Sequence, residues 1–151
     1  MVKIDKNLVF LKKNKIIKNK KGNIYKIINK NDENYKKFGE LYLSKINYNQ
    51  IKGWKLHKRM FMNLFVPFGK IKIIIVNELD KSLNKQNNCK FKSYIISSRN
   101  NYIINIPPKK WFGFKGLSKP NSILGNFSNI IHNDNEVITK DIKYFNIDWN
   151  K

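Results

Sequence analysis

Residues 51–63, IKGWKLHKRMFMN, and residues 105–118, NIPPKKWFGFKGLS, are two strand-and-turn segments that mix ionisable side chains with bulky apolar ones. Successive side chains of a strand alternate faces. Lys55, His57 and Arg59 of the first segment therefore share one face, and Trp54, Leu56 and Lys58 the other. If the first face lines a barrel interior, it forms an anion-friendly pocket that carries a proton carrier.

Outward from these segments the chain reads as short strands separated by turns. Strands are expected at 7–11, 15–18, 24–28, 38–46, 54–58, 61–66, 70–76, 91–97, 102–106, 112–117 and 123–127. Lys21-Gly22-Asn23, Pro67-Phe68-Gly69 and Ser118-Lys119-Pro120-Asn121 supply turn chemistry between them. Arg99-Asn100-Asn101 is expected to close a hairpin, because Asn tolerates left-handed backbone. Residues 80–88 form a polar excursion, and residues 32–37 allow one turn of helix. No sustained helical period, internal repeat or linker is present. The expectation is an all-β protein, a sandwich or barrel, in a single domain over residues 1–151.

With 151 residues, 41% of them hydrophobic, the chain can bury a core. Its net charge of +21 is nearly all lysine, with arginine only at Arg59 and Arg99. The lysines are scattered, whereas a nucleic-acid binder clusters its charge and favours the arginine fork. No nucleic-acid partner is therefore expected, although the field favours anionic ligands. The lysine-rich run 12–21 reads as a solvated edge that discourages strand-to-strand aggregation. A single cysteine, Cys89, excludes an internal disulfide and reads as a structural thiol. No apolar run has the length of a membrane span and no signal-peptide core is evident, so a soluble, cytoplasmic protein is expected.

The order of several short pieces is more specific than any one of them. They run Glu40-Leu-Tyr-Leu-Ser44, Ile51-Lys-Gly53, an apolar strand from Phe68 to Val76, Ile106-Pro-Pro108, Trp111-Phe-Gly-Phe114, Gly116-Leu-Ser118 and Asn146-Ile-Asp-Trp149. This succession, over about residues 24–149, resembles a divergent branch of the dTDP-4-dehydrorhamnose 3,5-epimerase family of cupin-fold nucleotide-sugar enzymes. The resemblance implies a cupin jelly-roll barrel, usually a homodimer, that holds a nucleotide-diphosphate sugar with a 4-keto-6-deoxy ring. It implies epimerase or isomerase chemistry in surface-polysaccharide synthesis. A proton leaves the carbon next to the ketone and returns to the opposite face. No metal or organic cofactor is expected, because the ketone itself acidifies the C–H bond.

Residue by residue the family's catalytic set is largely replaced. Lys55 stands at the position of the family base, and His57 two residues on. Gly125 and Asn126 match the family's tyrosine, Phe112 its second histidine, and the family lysine falls near Met62. Two arrangements restore a base. Either Lys55 serves, with its pKa lowered by burial and by Lys52, His57 and Arg59, or His57 serves with Lys55 stabilising the enolate. The second needs less perturbation. Asp141 is the nearest carboxylate for orienting the imidazole, and Lys52 and Arg59 are expected to hold the diphosphate. Glu40, Tyr42, Trp111 and Asn126 complete the expected substrate contacts. Trp111, Phe112 and Phe114 can stack a base or close the barrel end. His132 with Asp134 and Glu136 reads as a hydrogen-bonded loop, since the cupin metal pattern is missing. Trp149 reads as core or interface. The rival reading is a catalytically inactive cupin that binds a nucleotide sugar as an accessory protein.

Overall fold

A computed structural model describes residues 8–79 and 89–151. The polar excursion expected at 80–88 lies outside the described residues. The chain forms β1 (Phe10–Lys13), β2 (Ile16–Ile17), β3 (Ile24–Tyr25), β4 (Glu40–Asn47), β5 (Ile51–His57) and β6 (Met62–Phe68). There follow β7 (Lys70–Leu79), β8 (Cys89–Ser97), β9 (Tyr102–Ile106), β10 (Trp111–Gly116), β11 (Asn121–Ser128) and β12 (Val137–Thr139). Two five-stranded sheets result, in the orders β1-β9-β6-β11-β4 and β12-β5-β10-β7-β8, and β2 pairs with β3 beside them. Pairing within each sheet is antiparallel.

From β4 to β12 every connection carries the chain from one sheet to the other, except β7 to β8. That alternation makes the architecture a jelly-roll barrel, as expected. It also corrects the hairpin expected at Arg99-Asn100-Asn101. The turn forms, with Asn101 left-handed at φ 47°, but β8 and β9 lie in different sheets. At 67–69 the first sheet hands the chain to the second through Gly69 alone. Its φ is +80°, and a Cβ there would sit 2.6 Å from Ser122 Oγ, so glycine is required twice over. The helical turn allowed at 32–37 is a plain turn instead, closed by Tyr35 N donating to Asp32 O at 2.9 Å.

Period-two alternation sorts the side chains. Met62, Leu64 and Val66 of β6, Ile71, Ile73 and Ile75 of β7, and Ile104 and Ile106 of β9 fill the space between the sheets. The second sheet is also covered on its outer face. Trp54, Ile74 and Val76 meet Phe145 and Trp149 of the C-terminal segment there. Trp54 packs edge-on against Phe145 at 5.1 Å between ring centroids and lies 5.2 Å from Trp149. Trp149 is thus core. Lys72 of β7, also buried, is accommodated because its ammonium donates to the Trp149 carbonyl at 3.3 Å and to that of Lys151.

Truncating Trp149 to alanine opens a cavity against Trp54 and is expected to cost about 3–5 kcal/mol. Urea unfolding of Trp149→Ala checks this. A loss below about 1 kcal/mol would mean that the outer face does not depend on the C-terminal segment.

Candidate active site

β5 supplies one wall of a cavity of about 310 Å³ between the sheets. Its Lys52, Lys55 and His57 all reach this space. Simple alternation pairs Lys55 with His57 but not with Lys52, three residues earlier. A bulge reconciles them, because Phe112 pairs with Lys55 while Phe114 pairs with Lys52, so three steps on β5 oppose two on β10. Phe112 and Phe114 line the same side. The Phe112 ring is stacked on the His57 imidazole at 5.8 Å and 16°. The first sheet supplies the facing wall: Tyr42 and Ser44 of β4, Met62 and Leu64 of β6, and Leu124 and Asn126 of β11. His132, in the loop after β11, stands at the margin.

His57 is 4% exposed and Glu136 2%. His57 Nδ1 lies 2.6 Å from Glu136 Oε2. The other carboxylate oxygen, Oε1, accepts from the backbone N–H groups of Arg59 at 2.6 Å and Met60 at 2.8 Å. A carboxylate with three donors is held ionised, so Nδ1 carries the imidazole proton and Nε2 keeps its lone pair. Burial pushes the imidazole below its ordinary 6.5, against the pull of Glu136, and Lys55 and His132 push the same way as burial. Burial acts to raise Glu136, but the Arg59 N–H, the imidazole and the Met60 N–H outweigh it and bring the carboxyl below its ordinary 4.5. The imidazole is neutral and basic at pH 7, a suitable state for taking a proton from carbon.

The expected site residues divide. His57, Lys55, Lys52, Tyr42 and Asn126 come together in the cavity. Lys52 Nζ spans toward the first sheet, donating to Ser44 Oγ at 3.0 Å and to the Lys45 carbonyl at 2.9 Å. Arg59 follows the end of β5, with its side chain exposed and outside the cavity lining. Trp111 turns away from the cavity and packs on Tyr144 and Phe145. Glu40 accepts from the His132 backbone N–H at 2.9 Å and so fixes the loop at the margin. Asp141 caps the short 3-10 turn at Ile142–Tyr144, accepting from Lys143 N at 2.8 Å. The carboxylate on the imidazole is Glu136.

Sequence reasoning placed Glu136 in a polar loop, and half of that loop is one. His132 Nε2 lies 3.2 Å from Asp134 Oδ1, and Asn133 Oδ1 accepts from Asn135 N at 2.8 Å. Glu136 alone turns inward, because the next residues form β12 and pair with β5, Val137 opposite His57. The triplet Val137-Ile138-Thr139 was the available signal for that strand. Among the described residues no group of three or more His, Cys, Asp or Glu is placed to hold a metal ion, and no helix is long and apolar enough to cross a membrane.

No protein-family model and no curated protein matches the chain. Solved structures do. A dTDP sugar isomerase from Desulfovibrio desulfuricans superposes with a TM-score of 0.82 at 22% identity, covering 94% of this chain and 90% of that one. The barrel is the same. A dTDP-6-deoxy-D-glucose-3,5-epimerase from Legionella pneumophila, in complex with dTDP-4-keto-L-rhamnose, gives 0.76 at 16% identity over 98% of this chain and 80% of that one. A sugar 3,4-ketoisomerase from Thermoanaerobacterium thermosaccharolyticum, in complex with TDP, gives 0.72 at 19% over 95% and 93%. At these identities the likeness carries the fold, that of the cupin-type sugar-nucleotide epimerases and isomerases.

The buried pair makes the protein acid-sensitive in a defined way. As pH falls below 6.5 the unfolded chain protonates its histidine before folded His57 does, and below 4.5 the same holds for Glu136. Both contributions are complete above the unfolded values and are lost on acidification. Urea titrations at pH 7.5, 6 and 5 should show falling stability, and His57→Gln should flatten the decline just below 6.5. Glu136→Gln is expected to cost about 2 kcal/mol at pH 7.5, the worth of hydrogen bonds to a buried charge.

Proposed function

We propose that this protein is an epimerase or isomerase of a nucleotide-linked 4-keto-6-deoxy sugar. The observation that carries the reading is the neutral His57, oriented by Glu136 in a cavity between the sheets whose remaining charges are cationic. The cavity is sized for a small ligand, and its mixture of stacked rings and lysines suits a sugar nucleotide. His57 Nε2 takes the proton from the carbon beside the ketone, and the Lys55 ammonium stabilises the enolate oxygen. Lys52, on the rim, engages the diphosphate, with Arg59 an outer contact for the same group. Asn126 and Tyr42 face the sugar from the opposite sheet. In this reading Glu40 acts through the His132 loop, and neither Trp111 nor Asp141 touches the substrate. The solved enzymes of the same fold, which are named for dTDP-sugar epimerisation and ketoisomerisation, agree with it.

A homodimer and a cytoplasmic location belong to the proposal. β4 is an edge strand, and Leu41 and Leu43 on it are 54% and 63% exposed, with Phe38 close by in sequence at 63%. An apolar open edge of this kind invites a second copy. The lone thiol suits a reducing compartment.

The test is proton NMR with dTDP-4-keto-6-deoxyglucose in deuterium oxide. The C3 or C5 proton signal is expected to fade with the wild-type protein, and at least about 100-fold more slowly with His57→Asn. Saturable binding without any loss of signal would instead establish the inactive accessory protein. Light scattering coupled to gel filtration should give twice the chain mass, falling toward 18.0 kDa when Leu41 and Leu43 are both changed to lysine.

A further inference from the structure

The hairpin β2–β3 stands apart from the apolar packing of the barrel. Ile17 pairs with Ile24 and Ile16 with Tyr25, so each face of the hairpin carries one apolar pair. None of the four belongs to either core cluster, and Ile24 and Tyr25 are 53% and 47% exposed. The hairpin is nonetheless held in shape at both ends. At its root the buried Asn14 donates its N–H to the Asn101 carbonyl at 2.9 Å and its Nδ2 to the Ile27 carbonyl at 2.8 Å. Asn101 Nδ2 donates back to the Asn14 carbonyl at 3.2 Å. At its tip Asn19 Oδ1 accepts from Lys21 N at 2.9 Å, and the Asn19 carbonyl from Gly22 N at 3.1 Å.

Its charge has one sign. Residues 12–31 hold eight lysines and no acidic residue. Lys15, Lys18, Lys20, Lys21, Lys26 and Lys30 are all exposed. Among the described residues none of these six has a carboxylate partner, and the nearby Asp32 is taken by Lys12 at 2.7 Å. A complementary surface is therefore anionic, with an apolar layer beneath its charges for the isoleucines and the tyrosine. A bilayer with acidic headgroups has that construction. Lysine is a hydrated point charge that makes no directional demand on a headgroup, and tyrosine suits a boundary with one apolar and one wet side. A nucleic acid offers no apolar layer to Ile17 and Ile24, and the hairpin carries no arginine fork for its phosphates.

We propose that β2–β3 is a docking hairpin for an anionic phospholipid surface. Its lysines draw the protein to the headgroups through their field, and Ile24 and Tyr25 enter the interfacial layer beneath them. Its place in the barrel permits this. The hairpin follows β1, which is the edge of the first sheet opposite to β4. No residue of β1, β2 or β3 lines the cavity. Docking through the hairpin leaves both the cavity and the β4 edge free. The contact is peripheral, reversible and weakened by salt, and it does not depend on the catalytic reading.

The experiment is co-sedimentation of the full chain with vesicles of phosphatidylcholine, alone and with phosphatidylglycerol added, at about 0.1 M salt. Three variants accompany wild type. In one, Lys18, Lys20 and Lys21 are all changed to glutamine. In the second, Lys109, Lys140 and Lys143 are changed likewise, which removes the same charge from exposed positions outside the hairpin. The third combines Ile24→Ser with Tyr25→Ser and leaves the charge unchanged. Thermal melts confirm that all four proteins are folded. Wild type is expected to bind the acidic vesicles and not the neutral ones. At about fivefold per lysine, the hairpin triple should bind at least about 30-fold more weakly, and the other triple within about threefold of wild type. The apolar double should bind at least about fivefold more weakly. Equal losses in the two triples would overturn the proposal, because net charge alone would then explain the attraction. Undiminished binding by the apolar double would overturn the insertion of Ile24 and Tyr25. No binding by wild type would overturn docking outright, and so would tighter binding to duplex DNA at the same salt. None of these outcomes touches the epimerase reading, which deuterium exchange tests separately.

Discussion

The Glu136 carboxylate organises the site and joins two distant parts of the chain. It accepts from the His57 imidazole and from two successive backbone N–H groups just past the end of β5. Those N–H groups have left the ladder, and without a partner that of Met60 would be a buried orphan. The same carboxylate sets which imidazole nitrogen carries the proton. One ion thus ends a strand, anchors the loop after β11 through β12, and selects the tautomer that can act as a base. Such a buried carboxylate is stable only when both of its oxygens have donors. The imidazole and the two main-chain N–H groups supply them, and the Phe112 ring packs on the imidazole.

Much of the barrel was legible in the sequence, for identifiable reasons. Strands β4 to β11 announce themselves through β-branched and aromatic runs between Gly, Pro and Asn, and Tyr102–Ile106 was located to the residue. What turn chemistry does not encode is which sheet the next strand joins. Asn101 has the left-handed backbone expected of it, yet its flanking strands do not pair. Local sequence specifies a reversal, and the partner is chosen by which apolar face is buried where.

The site divides along the same line. Lys55 and His57 were legible because they sit on one regular strand, where alternation holds. The same alternation extended to Arg59 failed because β5 stops at His57. Lys52 reaches the cavity through a bulge, a register change invisible to a period-two reading. Glu136 was seen but read as solvated, since its partners are seventy-nine residues away for the imidazole and nearly as far for the backbone groups. The scattered lysines, by contrast, matter to the cavity only where β5 turns Lys52 and Lys55 inward. Elsewhere they set the general field and no particular contact.

The near-constant switching between sheets has a consequence for how this chain reaches its native state. A strand that pairs with its immediate successor can form before the rest of the molecule is ordered, and from β4 onward only β7 and β8 do so. Tyr42 and Asn126, direct partners in the ladder, are separated by 84 positions. Closing loops of that size costs entropy before any contact compensates, which places the chain among the slower-folding topologies. The cavity is lined from β4, β5, β6, β10 and β11, and none of these is the immediate successor of its partner. The site is therefore a property of the assembled barrel and of no single hairpin within it.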